Sequence, residues 1–273
     1  MNDDALKKTL VKLLSPLVRY LIRRGWGFVA VRDLLKAIYA AEAEKLLRED
    51  TGQVPNDSQI SLVTAIHRKE VKRLRESDEL ADGAPDSFQG AHAAARVIAT
   101  WQSSPEFCDE NGEPRRLSIG ASAKENEFDD LVRATKADVR SRSILDELLR
   151  VGAVEVTGDD HLRLLRNAYI GADPKEKLMF LAANVGDHLR SALHNLMSPE
   201  APWIERALYH DSIPLDHLAA IRPDLQKLAE KFLKDANRHL IDANTVSTEG
   251  DTSGRKRMRM GVYYFEADSD DEV

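Results

Sequence analysis

Three observations predict a mainly α-helical chain with one small β element. Leucines recur at spacings of three and four over long stretches. Aromatic residues make up only 6% of the chain and charged residues 31%, a composition that suits aliphatic helical cores. Strict alternation is confined to short runs, two of which flank a Thr-Gly-Asp-Asp sequence. Spacings of three and four keep side chains on one helix face, whereas alternation keeps them on one strand face. At 273 residues the chain has room for roughly two or three small domains.

The first element is a helix from about residue 5 to Arg24, on which Leu6, Leu10, Leu13, Leu17 and Leu21 form one stripe and which Gly25 ends. Ser15-Pro16 leaves two options: Pro16 kinks one helix, or Ser15 caps a second helix with Pro16 in its first turn. A further helix over residues 30–48 carries Leu34, Leu35, Ile38, Ala41, Ala43 and Leu46. Gly52 and Pro55 close it.

The stretch DSQISLVTAIHRKEVKRLRE, residues 57–76, changes phase at its centre. Asn56 or Asp57 caps a short helix that turns Ile60, Val63 and Thr64 to one side. A second short helix starts at about Arg68 and buries Val71 and Leu74, leaving Arg68, Lys69, Lys72, Arg73 and Arg75 outward. Ala65-Ile66-His67 is the turn, with Ile66 tucked between the helices. Two such helices after a longer one read as a helix-turn-helix, whose second helix enters the major groove. Ser58 and the N–H groups of the first helix would then meet phosphate, and His67, Arg68, Lys69, Lys72 and Arg73 would lie nearest the bases. A solvated basic face explains the same residues without DNA. Ala65 also stands where glycine is usual, and a side chain at positive φ costs about 1 kcal/mol.

Residues 79–89 read as a boundary. After it comes an ordered series: a helix over 89–102, a short strand near Arg116–Ile119, a helix capped by Asn126, a longer helix from Asp138 with Ile144, Leu145, Leu148 and Leu149, then a hairpin of AVEV and HLRLL. Helix, strand, two helices and hairpin is the winged-helix order. Arg133, Lys136, Arg140 and Arg142 would be its secondary DNA contacts, but Asp159 and Asp160 at the hairpin tip would repel phosphate. A structural or partner-binding role is therefore favoured for this module.

Residues 174–245 return to helices, with stripes of Leu178, Leu181, Val185, Leu189, Leu193 and Leu196, and of Leu225, Leu228, Phe232, Ala236 and Leu240. A short helix bearing Trp203 and Leu208 is expected between them. The stripes suit an intramolecular bundle or a homodimer, and two-fold symmetry suits paired half-sites. Residues 246–273 comprise a linker, an edge-like strand that alternates around Met258, Met260, Val262 and Tyr264, and an acidic tail. The RKRMR cluster within it could touch phosphate. The expected domains are thus 1–80, 88–171 and 174–245, followed by this tail.

Charge is unevenly spread. The net charge is -7, yet residues 1–78 hold 15 Lys and Arg against 11 Asp and Glu, and residues 79–273 hold 24 against 35. A basic N-terminal third can dock on a polyanion despite the overall sign, because contacts within a Debye length dominate. The single cysteine, Cys108, forms no internal disulfide, and the start MNDDALKK lacks the basic residues of a secretory signal, so a cytoplasmic protein with no membrane partner is expected. His188 and His194 miss the i, i+4 spacing of a helical metal pair, His210 and His217 flank Pro214, GDTSGRKR lacks the phosphate-loop spacing, and Cys108 has no evident base. No cofactor, no metal and no catalytic constellation are expected.

The segments LLSPLVRYLIRRGWGF, ISLVTAIHRKEVKRL and GVYYFEAD resemble, over nearly the whole length, a bacterial family of unknown function, which implies no mechanism. Over about 20 residues the second segment also resembles the helix-turn-helix of bacterial transcriptional regulators. The expectation is a non-enzymatic regulator that binds double-stranded DNA. The competing expectation is a protein-interaction adaptor using winged-helix folds as docking surfaces.

Overall fold

The computed structural model describes residues 3–77, 86–120, 126–137, 139–158, 160–165, 173–245 and 256–267, excluding the side chains of 86–90 and 242–245. The fold is mainly helical with one small antiparallel sheet. It divides into two units, residues 1–83 and 84–272.

In the first unit, α1 (Asp3–Arg23) is one continuous helix with Pro16 inside it. The Ser15 hydroxyl donates to the Val11 carbonyl at 2.7 Å, so Ser15 is not the cap of a second helix. α2 (Phe28–Thr51) ends at Gly52, whose φ of 68 takes the left-handed turn that a Cβ would strain. Its buried face is Ala37, Ala40 and Ala43, while Leu35, Ile38 and Leu46 are exposed. Of the expected stripe Ala43 is therefore inside, Leu34 and Ala41 are half-buried, and Leu35, Ile38 and Leu46 look outward. Alanines let α3 (Asp57–Thr64) and α4 (Arg68–Arg75) come close enough to seat Ile60, Val71 and Leu74 against α2. Ile66 and Leu47 pack at the margin of this core. Val63, expected inward, is 55% exposed, because a helix of only two turns presents a single narrow face to its partner.

The second unit holds the larger core. α5 (Asp86–Ser103), a 3-10 turn (Pro105–Phe107), β1 (Leu117–Ser118), α6 (Glu127–Ala134), α7 (Ser141–Arg150), β2 (Val154–Thr157) and β3 (His161–Leu164) follow in order. β3 lies in the middle of the sheet, paired antiparallel with β1 through Leu117 and Leu162 and with β2 through Val156 and Leu162. Trp101, Phe107, Leu117, Phe128, Leu131, Ile144, Leu148 and Leu162 are almost fully buried together. The Trp101 indole N–H is satisfied by the Arg115 carbonyl at 2.9 Å, which makes burial of that ring tolerable. Asn126 caps α6 as expected, accepting from the Asp129 N–H at 3.0 Å. α7 begins at Ser141, and Asp138 and Asp159 lie outside the described residues. Leu149, expected in the core, is 38% exposed.

α8 (Pro174–Met197) and α9 (Leu215–Thr245) complete the unit. Neither buries an apolar side chain among the described residues; the one buried residue of α8 is Glu176, bonded to Arg150. α9 meets α5 through Asn237, whose amide donates to the Ala99 carbonyl at 3.0 Å. The short helix expected around Trp203 and Leu208 does not form. Instead the Asn195 side chain takes the Trp203 N–H at 2.7 Å and donates to the Trp203 carbonyl at 3.3 Å, and His194 stacks on the indole at 4.0 Å. Those bonds consume the backbone groups that a helical turn would need. Residues 256–267 form no helix or strand, so the edge strand expected there does not form, and they are absent from the three-stranded sheet.

Candidate nucleic-acid interface

The α3–α4 pair is held by three local devices. Asn56 builds a capping box: its side chain accepts from the Ser58 and Gln59 N–H groups at 3.0 Å, and the Gln59 side chain accepts from the Asn56 N–H at 2.8 Å. Ala65 makes the turn in the left-handed conformation, φ 57. His67 then caps α4, its Nδ1 accepting from the Lys69 N–H at 3.2 Å. With Nδ1 engaged, Nε2 is the ring nitrogen left over for a ligand.

α4 has two chemically different faces. Val71 and Leu74 are buried, and Arg68, Lys69, Lys72 and Arg73 are exposed. Their freedom differs. Arg68 and Lys69 form no ion pair with a described residue, and Lys72 reaches only a long contact to Glu76 at 3.8 Å. Arg73 is engaged by Glu70 through Nε and Nη2, both at 3.0 Å. The same guanidinium holds the Glu70 carboxyl below its ordinary range, with Lys36 at 3.9 Å adding to the effect. The i, i+3 spacing of Glu70 and Arg73 carried that signal in the sequence.

Arg75 is exposed like the others, as expected, but it is a tie as well. Its Nη1 donates to Asp57 at 2.7 Å and its Nε to Glu44 at 3.0 Å. Asp57 first and Glu44 second raise the guanidinium pKa further above its usual value. Glu44 lies 31 residues away, so nothing local in the sequence announced it. Ser58 is exposed, but its N–H and that of Gln59 are spent on Asn56. Two of the phosphate donors expected there are therefore already taken.

The second candidate set is mixed. Arg133 pairs with Asp130 at 2.9 Å and Arg142 with Asp146 at 3.1 Å. Lys136 sits at φ 51, and Arg140 precedes α7 without a side-chain cap. Asp160 at the hairpin tip is exposed. Two arginines of the RKRMR cluster are tied to α8: Asp187 accepts from Arg257 at 2.6 and 2.8 Å and from Arg259 at 2.7 Å, and Arg259 also donates to Asn184 at 2.9 Å; Arg255 lies outside the described residues. These guanidinium groups, Arg257 foremost, hold the Asp187 carboxyl far below the carboxylate range. Among the described residues no cluster of three or more His, Cys, Asp or Glu side chains could hold a metal. Cys108 donates to the Trp101 carbonyl, and burial pushes its thiol pKa up, which disfavours the thiolate.

Fold and site together define a mainly helical protein, with a small three-stranded antiparallel sheet, that presents a short basic helix on a packed helical unit. The chain belongs to the family of unknown function DUF6502, whose model matches residues 4–272. No curated protein and no solved structure matches it. Among the described residues, no helix is long and apolar enough to cross a membrane.

Proposed function

We propose that the protein binds double-stranded DNA as a transcriptional regulator, with α3 and α4 acting as a helix-turn-helix and α4 as the reading helix. The observation that carries this reading is an exposed Arg68 and Lys69, neither ion-paired with a described residue, on a helix held in place by its buried Val71 and Leu74 and by the Arg75 tie. A solvated basic face has no need of such fixing; reading a groove does. His67 Nε2 and Lys72 complete the surface, and Arg73 contributes less because Glu70 holds it.

The order α5, β1, α6, α7, β2, β3 supports a winged-helix reading of the middle module. Acid-paired Arg133 and Arg142 and the exposed Asp160 favour a structural or partner role for it over a second DNA contact. The expected 1–80, 88–171 and 174–245 domain scheme, a cytoplasmic site of action and homodimerisation belong to the same proposal.

The test is fluorescence anisotropy of the full chain on duplex DNA across a salt series. Each phosphate contact adds about 0.9 to the log–log slope. Replacing Arg68, Lys69, Lys72 and Arg73 by Ala together is expected to lower the slope by roughly 3, with unchanged circular dichroism. Full affinity in that variant would overturn the assignment. The adaptor reading is favoured by one observation, the open apolar surface of residues 203–209, where Leu208 is 91% exposed. Heparin separates the two: an adaptor of this net charge washes through at low salt, whereas a groove-binding protein is retained.

A further inference from the structure

α1 carries an apolar face along its length and buries none of its residues. Leu6, Leu10, Leu13, Leu14 and Leu17 are between 42% and 52% exposed, and Val11, Val18 and Ile22 extend the open face. The leucines read alike from either end. About a midpoint between Leu13 and Leu14, Leu6 mirrors Leu21, Leu10 mirrors Leu17, and Leu13 mirrors Leu14; outside them Asp3 mirrors Arg24 and Asp4 mirrors Arg23. At about 100° per residue the six leucines fall within roughly 100° of arc, one continuous stripe. Lys8 and Arg19 also mirror each other, but they lie about 180° from the stripe's centre, on the far side.

We infer that α1 pairs with α1 of a second copy of this chain, antiparallel about a two-fold axis at the Leu13/Leu14 midpoint. An isologous contact requires a self-complementary surface, and a leucine stripe that mirrors itself about one point supplies it. Charge selects the direction. A parallel pair would set Asp3 and Asp4 against the same acids and Arg23 and Arg24 against the same bases. The antiparallel pair sets acids against bases and opposes the helix dipoles. The area on the stripe is modest: five of its leucines stand 42–52% open, and at on the order of 100 Å² each they offer roughly 500 Å² per partner, the small end of the range for a specific interface. This pairing is independent of DNA binding, although it would place two copies of α4 in one assembly.

The test is the mass of the full-length chain by light scattering, followed by cysteine crosslinking in a Cys108→Ser background. The wild type is expected to be at least dimeric and Leu10→Glu/Leu17→Glu to halve the mass. Because both leucines are exposed, helicity by circular dichroism should not change. Under oxidation Leu14→Cys should form an intermolecular disulfide, since the two thiols face each other near the axis. Leu6→Cys should not, because antiparallel copies hold residue 6 about 22 Å from its counterpart. A monomeric wild type, or a mass unaltered by the double substitution, overturns the pairing; efficient crosslinking of Leu6→Cys overturns its antiparallel sense.

Discussion

Ala65 shows how one residue can carry both the turn and its cost. Its φ of 57 is where a Cβ crowds the following carbonyl, a penalty of about 1 kcal/mol or more. The site is exposed, so nothing but the backbone opposes glycine there. Glycine returns part of the gain by loosening the unfolded chain. Ala65→Gly is therefore expected to stabilise the protein by about 0.5 kcal/mol net, read as a rise in the denaturation midpoint without a change in slope. The turn was legible because Asn56, the phase change and the Val71–Leu74 pair bracket it. The roles of His67 and Ser58 were not, because capping bonds depend on side-chain rotamers that spacing does not specify.

At the scale of elements, basic residues on one helix separate into ties and free charges. Arg75 has 27% of its side chain exposed and two carboxylate partners from two other helices, whereas Lys72 has 66% exposed and one distant partner. Arg75→Ala is expected to cost about 1 kcal/mol, and Lys72→Ala less than about 0.5 kcal/mol, both measured by chemical denaturation. A similar tie fixes the arm of residues 256–267 to α8. Asp187, with 14% of its side chain exposed, binds Arg257 and Arg259. Its carboxyl is depressed when folded, so the tie contributes fully above the unfolded carboxyl pKa of about 3.9. That contribution is lost only as pH falls from there through the folded value. The arm is expected to stay attached between pH 8 and 5. Asp187→Asn should speed tryptic cleavage after Arg257 and Arg259 severalfold at pH 8, as followed by mass spectrometry of the fragments. The sequence showed the RKRMR cluster but not its acid, which is 70 residues away.

For the whole molecule, the basic and acidic portions separate along the chain, with 15 Lys and Arg against 11 acids up to residue 78 and 24 against 35 beyond it. Long-range attraction to DNA is therefore weak unless a local surface concentrates charge. The salt slope of the full chain should accordingly reflect few contacts, and loss of Arg68, Lys69 and Lys72 should remove most of it. The sequence by itself determined the helical class, most of the helices with the caps at Asn56 and Asn126 and the glycine stop at Gly52, and the order of elements around the hairpin. Those follow from periodicity, caps and turn chemistry, which act between neighbours along the chain. Only the tertiary structure decided which face of α2 is inside and which cations are spent. A helix stripe marks apolar surface without naming what covers it, and an ion pair between distant residues exists only once packing has brought its two charges together.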